Sequence, residues 1–306
     1  MEKEVLIEDQ GKRIDNYVSE NFEKISRSLA QKLINEGKIL VNNTQIKSSY
    51  KLKENDIIFI PENAEKTSSQ ELVGEDIPID VLYEDDDILV VNKPKDMVVH
   101  PGSGVDTGTL VNAVIGKYDL SDGSEDFRPG IVHRLDKDTT GALVVAKNNY
   151  AHEKIAEQIK NRETKKVYIA LVKGIVKEEK GTIDMPIGRS LKDRKKMAVV
   201  KTGKPALTEF KVLERFKEGY TLVEVTLKTG RTHQIRVHMA QIGYPVVGDS
   251  TYSSGKNPFN VTSQMLHSHI LGFTHPTKNK WMEFEAPIPK YFDEVLKKLT
   301  VLEKKS

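Results

Sequence analysis

From residue 79 onward the apolar residues come mostly in short runs bounded by turn-forming residues, and this pattern limits the fold more than any other feature of the chain. Ile79–Tyr83, Ile88–Asn92, Val167–Val172, Ala198–Val200, Ala206–Glu214, Tyr220–Leu227 and Trp281–Phe284 have the length and the β-branched or aromatic content of strands. Helical spacing is confined to Thr109–Ile115, to Tyr150–Lys160 with its Ile155 and Ile159, and to the stretch after His233. Many strands with few, scattered helices predict an α+β domain on a mostly antiparallel mixed β-sheet flanked by helices and loops. A chain of 306 residues can hold such a domain and a smaller one beside it. No internal repeat interrupts this reading.

Residues 1–62 read as that smaller unit. Ile14, Tyr17, Val18 and Phe22 lie on one side of a helix. Ser26 is placed to cap a second helix, which carries Leu29, Leu33 and Ile34 on one side and stops at Gly37. Strands are expected at Ile39–Val41 and Ile57–Ile60, with Asn42-Asn43 as a turn. Arg27, Gln31 and Lys32 occupy the outer side of the second helix. Residues 63–76 are polar and weakly patterned, as in a linker, and the large domain is expected over 77–306.

Composition removes several kinds of chemistry. The chain has no cysteine, which excludes disulfides, thiol catalysis and cysteine-ligated zinc and suits a reducing cytoplasm. No apolar run has membrane-spanning length and no signal-peptide pattern opens the sequence, so a cytoplasmic protein without a membrane partner is expected. The formal net charge is only +2, but residues 165–215 hold 14 Lys and Arg against 6 Asp and Glu, enough to follow a phosphate backbone or simply to solvate a surface. Pro101-Gly102-Ser103-Gly104 lacks the lysine and hydroxyl of a phosphate loop, and no Gly-x-Ser-x-Gly elbow occurs. The pairs His233/His238 and His267/His269 lack the spacing and glutamate of a zinc protease, so no metal is expected.

Carboxylate chemistry is left, and it concentrates in Gly130-Ile-Val-His133-Arg134-Leu-Asp136-Lys-Asp138-Thr139-Thr140-Gly141. Ile131-Val132 and Leu143–Ala146 read as strand ends holding a polar loop. Without further information that loop is equally a charged surface turn. Asp136 and Asp138 would share a face if extended, as a proton-sharing dyad needs. Alternatively Asp136 works alone while Asp138 helps Thr139 and Thr140 shape the turn. An aspartate attacks carbon only when ionised and aimed, which calls for a neighbouring arginine. Arg231, beside a Gly-containing turn, is the expected partner; a plain structural ion pair is the competing reading.

The same residues resemble the signature of the RluA/RluD-type pseudouridine synthase family. Lys93-Pro94 with His100-Pro101, Lys165-Lys-Val-Tyr168 through Gly174, Leu227-Lys-Thr-Gly-Arg-Thr-His-Gln-Ile-Arg236-Val-His238, Pro245-Val-Val-Gly-Asp249, and Leu266-His267 through His275-Pro276 resemble its further motifs in the same order. Pro186-Ile-Gly188, Lys196-Met-Ala198 and Gly203-Lys-Pro-Ala206 look most like its large-subunit synthase D branch. Arg13-Ile14-Asp15, Ser26-Arg27-Ser28, Gln31-Lys-Leu-Ile34 and Gly37 resemble an S4-type RNA-binding domain. Ser263 departs from the pattern, since many relatives carry arginine there.

The resemblance implies isomerisation of uridine to pseudouridine in structured RNA, 23S rRNA or an assembling large ribosomal subunit, by a monomer that requires no cofactor. It assigns the essential carboxylate to Asp136, its ion-pair partner to Arg231, and base stacking with assistance in late proton removal to Tyr168. Arg134 would manage the flipped nucleotide. His133 would contact the backbone of the RNA or pack beside the loop. Arg27, Gln31 and Lys32 would face RNA. Two other readings stay open: an RNA-binding or ribosome-assembly protein that keeps the fold without catalysis, and a carboxylate-dyad hydrolase.

Overall fold

The computed structural model describes residues 2–22, 25, 27–61, 72–102, 105–121, 128–193, 196–255 and 258–301. Two compact units emerge, the first including Met1–Val73 and the second including Gly74–Gly123 and Pro129–Ser306. The expected cap at Ser26, most of the expected linker and most of the polar loop before Pro129 lie outside the described residues.

In the first unit, β1 (Glu2–Glu4), β2 (Leu40–Val41) and β3 (Ile57–Phe59) form an antiparallel sheet in the order β1-β3-β2. Helices α1 (Ile14–Asn21) and α2 (Arg27–Asn35) cover it. Their apolar residues recur at helical spacing, so Ile14, Tyr17, Val18, Leu29, Leu33 and Ile34 share one core with Ile39 and Ile58. The chain leaves α2 through Gly37 at φ +68°, as the sequence predicts.

The second unit contains β4 (Asp80–Glu84), β5 (Ile88–Lys93), α3 (Leu110–Val114), β6 (Thr140–Ala146), α4 (Asn149–Asn161), β7 (Lys165–Lys173), β8 (Lys180–Asp184), β9 (Ile187–Arg189), β10 (Met197–Val199), β11 (Leu207–Phe216), β12 (Tyr220–Leu227), α5 (Gln234–Gln241), β13 (Leu266–Thr274), β14 (Trp281–Glu285) and α6 (Lys290–Leu296). Nine of these strands make one sheet in the order β4-β5-β6-β13-β7-β12-β11-β8, with β14 pairing β13. Every pairing is antiparallel except β6 with β13, so the sheet is mixed and mostly antiparallel. β9 and β10 form a separate antiparallel pair. β6 is buried along its whole length, which explains why its sequence is continuously apolar. α4 packs Ala151 and Ile155 against Leu271 and Phe273.

The sheet brings β13, late in the chain, between β6 and β7. His267 and Ser268 pair with Thr140 and Gly141. Gly141 sits at φ +112°, and a Cβ there would lie 2.1 Å from the Ser268 carbonyl oxygen. Only glycine allows the two backbones to meet at this point.

Ile131-Val132 is not a strand, contrary to the sequence reading. Ile131 makes one isolated bridge to Val145, and the Ala146 amide donates to the Gly130 carbonyl at 2.8 Å. One step further the Val144 amide donates to Nε2 of the His133 ring at 3.1 Å. A side chain thus replaces a backbone acceptor, and the ladder stops there. The segment lies back along β6 and releases residues 134–139 as a loop. Among the described residues no helix is long and apolar enough to cross a membrane.

Candidate active site

The loop is held from three directions. Within it, the Thr139 amide donates to the Asp136 carbonyl at 3.1 Å. From β13 and the residues before it, Gln264 donates to the Thr139 hydroxyl at 3.0 Å and Thr140 bonds His267 Nδ1 at 2.8 Å. His267 Nε2 lies 3.1 Å from the Ala286 carbonyl, which can only accept, so Nε2 carries the proton and Thr140 is the donor to Nδ1. From the end of β5 the buried Lys93 ammonium donates to the carbonyls of Pro94, Met97 and Lys137 at 2.8, 2.8 and 2.9 Å. Burial lowers Lys93 to about 7 against the pull of Asp138, Asp136 and Asp96.

The two loop aspartates differ. Burial and then the neighbouring Asp96 push the Asp138 carboxyl up, so its close acidic neighbour is Asp96 rather than Asp136. Asp136 is 19 % exposed and its Oδ2 accepts from Arg236 Nη1 at 3.0 Å. Arg236 also forks onto Asp249, Nε to Oδ2 at 2.6 Å and Nη2 to Oδ1 at 3.0 Å. Asp249 in turn accepts the amides of Thr251 and Tyr252 at 2.8 and 3.0 Å. Burial alone would lower Arg236 and raise Asp249; their mutual attraction reverses both, and Asp136 adds to the rise at Arg236. The sequence-predicted partner, Arg231, is therefore corrected to Arg236. Arg231 is partly exposed and donates through Nε to the Pro205 carbonyl at 3.0 Å, while still lining the cavity.

Backbone geometry explains the exchange. His233 adopts φ +57°, so α5 begins only at Gln234 and turns Arg236 inward. Gln234 fixes this turn: its carbonyl oxygen accepts from the Arg231 amide and the Thr229 hydroxyl, and its amide donates to Leu207 O and Thr208 Oγ1. His233 Nδ1 meets the Tyr252 hydroxyl at 2.8 Å, and its Nε2 lies 3.9 Å from Asp136 Oδ1. Among the described residues Oδ1 accepts no hydrogen bond.

Asp136 opens into a cavity of about 250 Å³ lined by Arg134, Tyr168, Leu227, Arg231, Arg236 and Leu266, among others. Tyr168 is 7 % exposed; burial pushes its phenol up to about 12, with Ser268 lowering and Asp136 raising it. It keeps its proton at neutral pH and offers chiefly an apolar ring face. Arg134 is exposed at the rim. The structure thus brings Arg134, Asp136, Tyr168 and Arg231 to one cavity and adds Arg236 and His233, with Asp249 buried against Arg236.

His133 lines the same cavity, but its bond to Val144 makes it part of the scaffold. Packing around the ring, and then the Lys166 charge, lower it to about 3. The unfolded chain takes up this proton as pH falls through about 6.5, whereas the folded chain does not until about 3. Stability is therefore expected to fall with pH across that window, aided by His267, which is lowered to about 4. Denaturant melts between pH 7 and 4 should show this loss, and His133→Gln should reduce its steepness by about one proton.

In the first unit, Arg27 and Gln31 do not project freely. Arg27 Nε and Gln31 Nε2 donate to Asp15 Oδ2 at 3.2 and 2.6 Å, and Arg13 forks onto both Asp15 oxygens at 2.9 Å. The Arg13 contact first, then Gln31 and Arg27, hold Asp15 well below the usual carboxylate range despite its burial. The two guanidinium groups remain about half exposed, at 40 % and 53 %, and Lys32 is exposed on the same helix.

The chain is similar to known proteins along most of its length. A family model described as RNA pseudouridylate synthase matches residues 87–241, and an S4 domain model matches residues 12–58. An uncharacterised RNA pseudouridine synthase of Bacillus subtilis is 44% identical over 293 residues, covering 95% of each chain. The ribosomal large subunit pseudouridine synthase D of Pseudomonas aeruginosa is 41% identical over 305 residues, covering 94% of each. Among solved structures, human RNA pseudouridylate synthase domain containing 1 superposes with a TM-score of 0.57 at 28% identity, over 74% of this chain and 96% of that one. Relatives 41–44% identical over nearly the whole of both chains, together with the family match over residues 87–241 and the S4 match over residues 12–58, identify the chain as a member of the RluA/RluD-type pseudouridine synthases, an isomerase acting on RNA.

Proposed function

We propose that this enzyme isomerises uridines of large-subunit ribosomal RNA, using Asp136 as its essential carboxylate and no cofactor. The observation that carries the assignment to Asp136 is its placement. One oxygen is fixed by Arg236 at 3.0 Å, and the other is left to face a cavity walled by Tyr168. The reaction breaks the C1′–N1 bond, turns the uracil, forms C1′–C5, and moves a proton from C5 to solvent while N1 gains one. Atoms balance without an oxidant or a metal. Asp136 Oδ1 is the atom placed to act on the sugar or the ring, and Tyr168 stacks on the base. Arg134 at the rim holds the RNA in its flipped form, and Arg231 contacts substrate rather than Asp136.

Residues 1–62 bind RNA through Arg13, Arg27, Gln31 and Lys32, with Asp15 fixing the first three in advance. Residues 63–76 link this domain to the catalytic domain over 77–306. The enzyme works as a monomer in the cytoplasm. The preference for the large subunit rests on relatives that are named for it. Carbodiimide mapping of pseudouridines, in rRNA from cells with and without this protein, tests the proposal. A small set of large-subunit signals should vanish. An unchanged large-subunit map, with signals lost from another RNA, would overturn the substrate assignment.

A further inference from the structure

Lys166 stands two residues before Tyr168 on β7, so both side chains leave the same face of the sheet. Its neighbour Lys165 leaves the other face and pairs with Glu283 at 2.8 Å. Lys166 lies in the wall of the cavity beside Val132, His133 and Ile159. Among the described residues no carboxylate pairs with it. The cavity's own carboxylate, Asp136, is committed to Arg236, and His133 is neutral because its Nε2 accepts the Val144 amide. Burial lowers the Lys166 ammonium to about 8, so the folded protein carries this cation at a cost that an anionic ligand would relieve.

The charges around the cavity show what that ligand is. Arg236 is satisfied by Asp136 and Asp249. Arg134, Arg231 and Lys166 are the remaining cations of the lining, which leaves it with an excess of positive charge. The uracil and ribose of an incoming uridine are neutral, and its phosphodiesters are the anions that arrive with it.

We propose that Lys166 binds a backbone phosphate adjoining the uridine held in the cavity, and so contributes to RNA affinity at the site. This rests on RNA being the substrate and on the cavity being the active site. A lysine suits the task because an ammonium on a flexible stem meets a phosphate oxygen as a point charge.

Lys166→Met and Lys166→Arg test the proposal against a transcript of large-subunit rRNA, in single-turnover isomerisation and in filter binding over a range of potassium chloride. Lys166→Met is expected to raise the half-saturating enzyme concentration about tenfold, leave the limiting rate within about twofold, and lower the slope of log affinity against log salt by about 0.7–0.9, the equivalent of one phosphate contact. Lys166→Arg should restore most of the affinity and the slope. Lys166→Met should melt no lower than the wild type, since it removes a half-buried charge that no carboxylate pairs among the described residues. A fall in limiting rate with the salt slope unchanged would place Lys166 on the base or the reacting atoms and overturn the proposal, as would wild-type behaviour in both assays. Filter binding reads the slope even if the wild type forms no pseudouridine in this transcript, so failure of the substrate assignment and failure of the Lys166 role are separately visible.

Discussion

Asp136→Asn is expected to lower pseudouridine formation by on the order of 10⁴-fold or more while leaving RNA binding intact. The amide is the same size as the carboxylate and can still accept from Arg236 Nη1 through its oxygen, so the loop has no steric reason to move. What it loses is the charge and basicity of the atom facing the cavity, and neither nucleophilic attack nor proton abstraction survives that loss. Removing a negative charge from a site that receives RNA should, if anything, tighten binding slightly. Release of tritium from RNA labelled at uracil C5 reports the reaction, because that hydrogen is lost only when C5 joins the sugar. Activity near the wild-type rate in a clean Asp136→Asn preparation would remove Asp136 from the chemistry. Asp138→Asn provides the contrast. Asp138 sits against Asp96 and Lys93, so its substitution should alter the hold on the loop with a much smaller effect on rate.

The second large effect is expected at Arg236. Its side chain is 7 % exposed and Asp249 is fully buried. Arg236→Met would strand that carboxylate and untether Asp136, costing roughly 3–5 kcal/mol of stability. Activity should fall about 10³-fold even at temperatures where the variant is folded, since the carboxylate is no longer aimed. Lysine is a poor substitute because it cannot make the fork to Asp249. Arg231→Met should leave the stability within about 0.5 kcal/mol of wild type, since among the described residues its side chain bonds only the exposed Pro205 carbonyl. Paired denaturant melts and tritium-release rates for the two variants decide between them. Unfolding and inactivation by Arg231→Met with a mild Arg236→Met would restore the pairing read from the sequence.

That exchange of arginines shows where sequence reading stops. Long strands with strong apolar content, β7 and β12, were legible to within two residues because each buries a continuous or alternating face. The sequence pattern starts the third helix at Thr109, which in the structure caps α3 with a reciprocal bond to Asn112. β8, β9 and α6 are too short to carry a sustained period, and the nine-residue β13 escapes the sequence because His267, Ser268 and His269 break its apolar run. The loop's own fold depends on His133 acting as a backbone acceptor, which no propensity encodes. Choosing between Arg231 and Arg236 required knowing that the helix starts after a left-handed residue. One signal was available: Arg236 lies within Ile235-Arg-Val-His-Met239, an apolar helical run. A charge there needs a buried partner, which Asp249 supplies.

The position of β13 has a consequence for how the enzyme comes into being. Residues 266–274 lie between β6, which follows the Asp136 loop, and β7, which carries Tyr168. Until they insert, β6 and β7 have no shared neighbour and the two walls of the cavity belong to separate halves. Contacts of such long sequence separation form late and slowly. If residues 1–62 bind RNA as proposed, a nascent chain is expected to bind before it can catalyse. Chains interrupted ahead of Leu266 should remain inert however much of the earlier sheet they have built.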